Sequence, residues 1–123
     1  MTENKNVVVI GATPKPDRYA FMAMQRLQQH GYRAIPVNPA FSEIRGERCH
    51  ASIADVNEPI DTVTMYVGAA RSTPLIQEIV AAKPRRIVFN PGAENPELSA
   101  AARAAGIEVA KGCTLLMLGA GTF

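Results

Sequence analysis

The sequence predicts an α/β domain in three layers: a doubly wound parallel sheet of five strands with helices on both faces. Three observations point there. Short β-branched runs alternate with amphipathic helical windows along the chain. The first run, Val7 to Ile10, is apolar throughout, as in a strand covered on both faces. The length, 123 residues, suits one domain spanning 1–123 with a real core.

The first strand is expected over residues 7–11, where Val7, Val8, Val9 and Ile10 precede Gly11. The helix after it places Ala20, Ala23, Met24 and Leu27 on one face, at offsets of three, four and seven. His30 and Gly31 stop it, with Gly31 as a left-handed C-cap. Residues 34–37 form a second strand, and Pro36 marks it as irregular or near an edge. From Pro39 to Pro59 the periodicity weakens, and a long connection is expected with one helical turn over 52–56. Residues 62–67 form the third strand. The next helix has Pro74 near its first position and Leu75, Ile76, Ile79 and Val80 on one face. Residues 86–90 form the fourth strand. Asn95, Pro96 and Glu97 supply a cap, a first-position proline and a first-turn acid to a helix buried along Leu98, Ala101, Ala102 and Ala105. Gly106 ends it and residues 107–110 form strand five. Residues 113–123 are apolar and glycine-rich and follow no assignable pattern.

Two neighbouring right-handed units predict the strand order 3-2-1-4-5. Ligands of such sheets bind outside the carboxyl ends of the strands, where the order switches. Those ends carry Gly11-Ala12-Thr13, Asn38-Pro39, Val67-Gly68-Ala69 and Asn90-Pro91-Gly92, all small or turn-forming residues that let a ligand approach the backbone.

The first of these ends is the most informative. A buried strand delivers a small-residue turn to a helix start, where free N–H groups and the helix dipole favour an anion. Lys15 and Arg18 strengthen that preference, Arg18 through a forked donor geometry; their bland reading is solvated surface charge. The dinucleotide fingerprint G-x-G-x-x-G is absent, because only Gly11 precedes the helix and Pro14 and Pro16 lengthen and stiffen the loop. Asn38 stands where a dinucleotide site has the acid that binds ribose hydroxyls. This weakens an NAD reading and is compatible with a ribose that carries a phosphate.

Composition excludes several classes. The formal net charge of +2 is too slight to point to nucleic acid. Cys49 and Cys113 have no metal-ligand spacing and suit a reduced cytoplasmic protein. The polar N-terminal segment leads into an apolar run too short for a signal or membrane span. No metal motif, nucleophile elbow or Walker loop occurs. His30, His50 and the carboxylates form no pair that spacing places together, so binding without turnover is expected.

The chain resembles the small stand-alone CoA-binding proteins, related to the CoA-binding domain of the succinyl-CoA synthetase α subunit. The matching pieces are Gly11-Ala12-Thr13 with Pro16 and Arg18, then the segment from Gly31 through Val37-Asn38-Pro39. Ile44-Arg45-Gly46, Ile60-Asp61-Thr62-Val63, Tyr66-Val67, Asn90-Pro91-Gly92-Ala93 and Gly106-Ile107-Glu108-Val109 follow, so the likeness covers roughly the whole chain. It implies a Rossmann-like fold that holds coenzyme A, or an acyl-CoA, across the strand ends. The Gly11 loop would hold the pyrophosphate and Val37-Asn38-Pro39 would border the nucleotide. Tyr66-Val67 and Asn90-Pro91-Gly92 would line the floor and the pantetheine path. Cys113 matches a cysteine the family usually has after strand five. Leu115-Leu116-Met117-Leu118 replace the polar and acidic residues often found next, which points to a hydrophobic contact with a second subunit and a homodimer. The synthetase's phosphohistidine domain has no counterpart here. The alternative reading is an NAD(P)-binding redox-sensing or oxidoreductase-like domain using the same crevice.

Overall fold

A computed structural model describes residues 4–123; Met1, Thr2 and Glu3 of the polar N-terminal segment lie outside the described residues. The main strands are β1 (Asn6–Ile10), β2 (Arg33–Val37), β5 (Thr62–Met65), β6 (Arg86–Phe89) and β7 (Glu108–Lys111). A separate hairpin, β3 (Glu43–Ile44) with β4 (Glu47–Arg48), lies in the long connection. The helices are α1 (Tyr19–Gln29), α2 (Ala69–Ser72), α3 (Ile76–Ala81), α4 (Pro96–Ala104) and α5 (Thr114–Ala120). The five main strands are all parallel and run in the order β2-β1-β5-β6-β7.

Counted along the sheet strands alone, that order is 2-1-3-4-5, which corrects the expected 3-2-1-4-5. The reason lies at Pro36. Gly11 donates to the Val37 carbonyl and Arg33 to the Lys5 carbonyl, so odd-numbered residues of β2 face β1. Pro36 therefore faces outward, where its missing N–H costs no ladder bond. The order 3-2-1 would have buried that edge against another strand. Instead, among the described residues, the backbone of that edge bridges to His50 of the connection, which donates to the Pro36 carbonyl and accepts from the Asn38 N–H. The strand at Thr62 goes to the other side of β1. The switch point stays at the end of β1, now between β1 and β5.

Alternate residues of β1 serve two cores, as a strand's period of two requires. Val7 and Val9 pack with Met24 and Leu27 of α1, Ile44 of the hairpin and Leu118 of α5. Val8 and Ile10 pack with Val63, Met65, Ile79, Leu98 and Ala102 on the face covered by α3 and α4. The four predicted inward residues of α1 are all buried. Leu27 and Met24 are fully enclosed, and such burial contributes roughly 1.5–3 kcal/mol per side chain.

Local chemistry accounts for the element ends. Gly31, at φ +82°, follows α1 as the left-handed residue expected there. Asn95 caps α4 through Oδ1, which accepts from the N–H groups of Glu97 and Leu98. Its Nδ2 donates to Ser72 Oγ at 2.7 Å and Thr73 Oγ1 at 3.1 Å, tying α2 to the start of α4. Ser52 accepts from the Ala54 N–H and opens the expected single helical turn, a 3₁₀ turn over Ile53–Asp55.

Three local expectations shift, the first at Ala105, which lies just past the end of α4 and is exposed rather than buried. The helix expected from Pro74 begins earlier, at Ala69, and Pro74 sits in a 3₁₀ turn between α2 and α3. The patternless tail contains α5, whose Leu118 is buried while Leu116 stays 74% exposed. At the opposite end of the sheet, Arg85 grips Asp61 with Nε at 2.8 Å and Nη2 at 3.1 Å. Burial works against the Asp61 charge. The bonds from Arg85 and Thr62 and the charges of Arg85 and Arg86 outweigh it and hold the carboxyl below the usual range.

Candidate functional site

The site is built from the loop that leaves β1. Gly11 has φ +87°, and a Cβ there would lie 2.7 Å from Val67 Cγ1 and 3.1 Å from the Tyr66 carbonyl oxygen. Only glycine fits both the backbone and the space. Ala12 is fully buried and its carbonyl accepts from Asn38 Nδ2 at 2.8 Å. Thr13 Oγ1 accepts from the Lys15 N–H at 3.3 Å and turns the chain. Arg18 is the extended residue before α1, and no side chain caps that helix. A helix start leaves its first N–H groups without intrahelical partners, and Tyr19 and Ala20, the first residues of α1, line a cleft.

Asn38 holds the loop in place from β2. While Nδ2 is on Ala12, Oδ1 accepts from the Ala40 N–H at 2.9 Å, so both ends of the amide have partners. Its carbonyl accepts from Cys49 Sγ at 3.4 Å. Burial pushes the Cys49 thiol up, and the bond to Asn38 only tempers this, so the sulfur is a buried thiol.

Between the strand ends lies an open cleft of about 500 Å³. Ten of the residues singled out from sequence line it: Gly11, Thr13, Lys15, Arg18, Asn38, Tyr66, Val67, Asn90, Pro91 and Gly92. A second cavity of about 270 Å³ lies beside it and takes in Val37 and Pro39. Ala12 and Pro16 line neither; Ala12 acts through its carbonyl, and Pro16 belongs to the stiff loop before Arg18.

The floor is a polar network. Asn90 Nδ2 donates to Thr64 Oγ1 at 2.7 Å and to the Met65 carbonyl at 2.8 Å. Asn90 Oδ1 accepts from the Thr114 N–H, and the Thr64 and Thr114 hydroxyls meet at 2.8 Å. One asparagine thus joins β5, β6 and α5. Beside it the Tyr66 hydroxyl is buried without a hydrogen-bond partner among the described residues. Burial pushes its pKa up to about 12, although Thr114 and Thr64 lie near enough to temper the rise.

Sequence reasoning missed Arg71, which lines both cavities, and Tyr19 and Phe41, which line the larger one. A helix starting near Pro74 leaves Arg71 outside it, whereas α2 starts at Ala69 and carries Arg71 to the strand ends. The signal was Gly68, a small residue directly after the strand. Cys113 is half-buried at the start of α5 and lines neither cavity. Among the described residues, no acid, histidine or cysteine lines the larger cleft.

Comparison with known proteins identifies relatives of the chain. A family described as a CoA binding domain matches residues 5–119. The chain is 33% identical over 66 residues to the uncharacterized Bacillus subtilis protein YneT, covering 54% of this chain. It is 32% identical over 63 residues to the ADP-forming acetate–CoA ligase of Methanocaldococcus jannaschii, covering 51% of this chain. The matches span 49% of the first relative and 9% of the second. A crystal structure of an uncharacterized protein superposes with a TM-score of 0.92 at 41% identity, covering 99% of this chain and 100% of that one. With the family matched along nearly its whole length and the doubly wound fold shared, the chain belongs to the CoA binding domain family.

Proposed function

We propose that this protein binds coenzyme A, or an acyl-CoA, in the cleft at the carboxyl ends of β1, β2, β5 and β6, and holds it without chemical turnover. One observation carries the reading. Lys15, Arg18 and Arg71 line a single cleft at the switch point of a doubly wound sheet, and none of them makes an ion pair among the described residues. Three cations converging without a protein counter-charge favour a ligand with several negative charges. The Gly11 turn and the start of α1 suit the pyrophosphate. The groove past Tyr66 and Asn90-Pro91-Gly92 suits the pantetheine arm.

The lining also supports binding over catalysis. Among the described residues, the larger cleft offers donors and cations but no carboxylate, imidazole or thiol to act as base or nucleophile. Asn38 puts a neutral amide, already bonded to Ala12 and Ala40, where a dinucleotide site has a carboxylate, which disfavours NAD.

Isothermal titration calorimetry with CoA, acetyl-CoA, NAD and NADP tests this. CoA or acetyl-CoA is expected to bind at micromolar concentration and the dinucleotides at least tenfold more weakly. Arg18→Ala is expected to weaken CoA by roughly tenfold, the scale of one charged hydrogen-bonded contact. No CoA binding at millimolar ligand, or tighter binding of NADP, overturns the reading.

A further inference from the structure

We propose that Arg71 reads a phosphate on the adenosine ribose of the ligand, which makes the site selective for 3′-phosphorylated CoA over its dephosphorylated form. The inference rests on the CoA reading above and assigns within it a residue that sequence reasoning had passed over.

The larger cleft carries Lys15 and Arg18 and suits a pyrophosphate. The smaller cavity is apolar along Ile10, Val37, Pro39, Val67 and Leu75, with Glu78 at its side. That combination suits a purine: a flat apolar slot for the ring and a carboxylate to accept from its amino group. A ribose joins base to pyrophosphate, so it must cross where the two cavities meet. Gly11, Asn38, Val67 and Arg71 line both and therefore form that neck. The neck is tight, because Gly11 and Val67 approach so closely that even a Cβ would clash.

The chemistry of the neck then decides what the ribose carries. Gly11 and Val67 offer no polar side chain. Asn38 has both ends of its amide engaged, on Ala12 and Ala40. Arg71 is the remaining polar side chain. It makes no ion pair among the described residues, not even with Glu78 in the same cavity. A guanidinium donates only, so it suits a phosphate, whose oxygens accept in the matching forked geometry. Arg71 is also held in position. The buried Ser72 next to it accepts from Asn95 Nδ2 at 2.7 Å, which anchors α2 to the start of α4.

The test is calorimetric titration of CoA and 3′-dephospho-CoA into the wild type, Arg71→Gln and Arg71→Lys. Arg71 is exposed and both variants are expected to keep the wild-type melting temperature. Wild type is expected to bind CoA roughly tenfold more tightly than dephospho-CoA, the scale of one charge-assisted contact. Arg71→Gln is expected to erase that preference and leave dephospho-CoA affinity unchanged; Arg71→Lys should keep part of it. Equal weakening of both ligands in Arg71→Gln, or no preference in wild type, overturns the assignment while leaving the CoA reading intact. Failure of wild type to bind either ligand overturns the CoA reading and this assignment with it.

Discussion

Replacing Gly11 with alanine separates two effects that the loop combines. The first is backbone conformation: φ is +87°, and a left-handed residue with a Cβ costs about 1–2 kcal/mol. The second is space. The new Cβ would sit 2.7 Å from Val67 Cγ1, which can rotate, and 3.1 Å from the Tyr66 carbonyl oxygen, which the β5 ladder holds. Forcing one carbon into such a contact costs about 1–3 kcal/mol. Gly31 supplies the control. Its φ is +82°, but a Cβ there meets nothing within 4 Å, so Gly31→Ala carries the backbone cost alone. Urea unfolding should place Gly11→Ala about 2–5 kcal/mol below wild type and Gly31→Ala about 1–2 kcal/mol below. The corresponding fall in Tm is roughly 4 °C per kcal/mol for a domain of this size. Equal losses in the two variants would refute the claim that the Gly11 loop and the end of β5 are in contact. Val67→Ala in the Gly11→Ala background should recover part of the loss, because it removes the nearer clashing atom.

Two further outcomes follow from the buried polar groups. Asn95→Ala removes the α4 cap and leaves the Ser72 and Thr73 hydroxyls without their donor, and should cost about 2–3 kcal/mol by urea unfolding. Asn95→Asp, which keeps the cap acceptor but loses the donor to Ser72, should cost less; equal costs would contradict the division of labour. For Asp61, the folded carboxyl titrates below its unfolded value, so its pairing stabilises the fold above about pH 4. That contribution is lost as pH falls through the depressed folded value. Asp61→Asn should therefore flatten the acid limb of stability against pH, and an unchanged limb would place the acid sensitivity elsewhere.

The sequence made much of the fold legible because its signals are local. The apolar runs at Val7 and Thr62, the inward face of α1 and the Asn95 cap each depend on neighbours within a few residues. The small residues at four strand ends were legible for the same reason. Strand order was not, because pairing partners are far apart in sequence and the hydrophobic pattern of a doubly covered strand is the same in the middle of the sheet on either side. Pro36 did carry the relevant information, since an outward-facing proline marks β2 as an edge. The two-residue hairpin at Arg45 and Gly46, with φ 51° and 79°, escaped because Arg45 is an unusual residue for that conformation. The tail escaped because α5 is too short for its periodicity to show; its Leu118 is recognisable as core only against α1.

The same division runs through the site. Sequence alone determined a small-residue turn at Gly11 ahead of a helix, two cations beyond it and an asparagine at the end of β2, because residue type and spacing dictate local donors and charge. Only the tertiary structure decided that the amide of Asn38 is spent on holding the Gly11 loop, and that Arg71 joins Lys15 and Arg18 at the cleft. Those facts depend on where distant strand ends meet, and that is set by the packing of the sheet rather than by any stretch of chain.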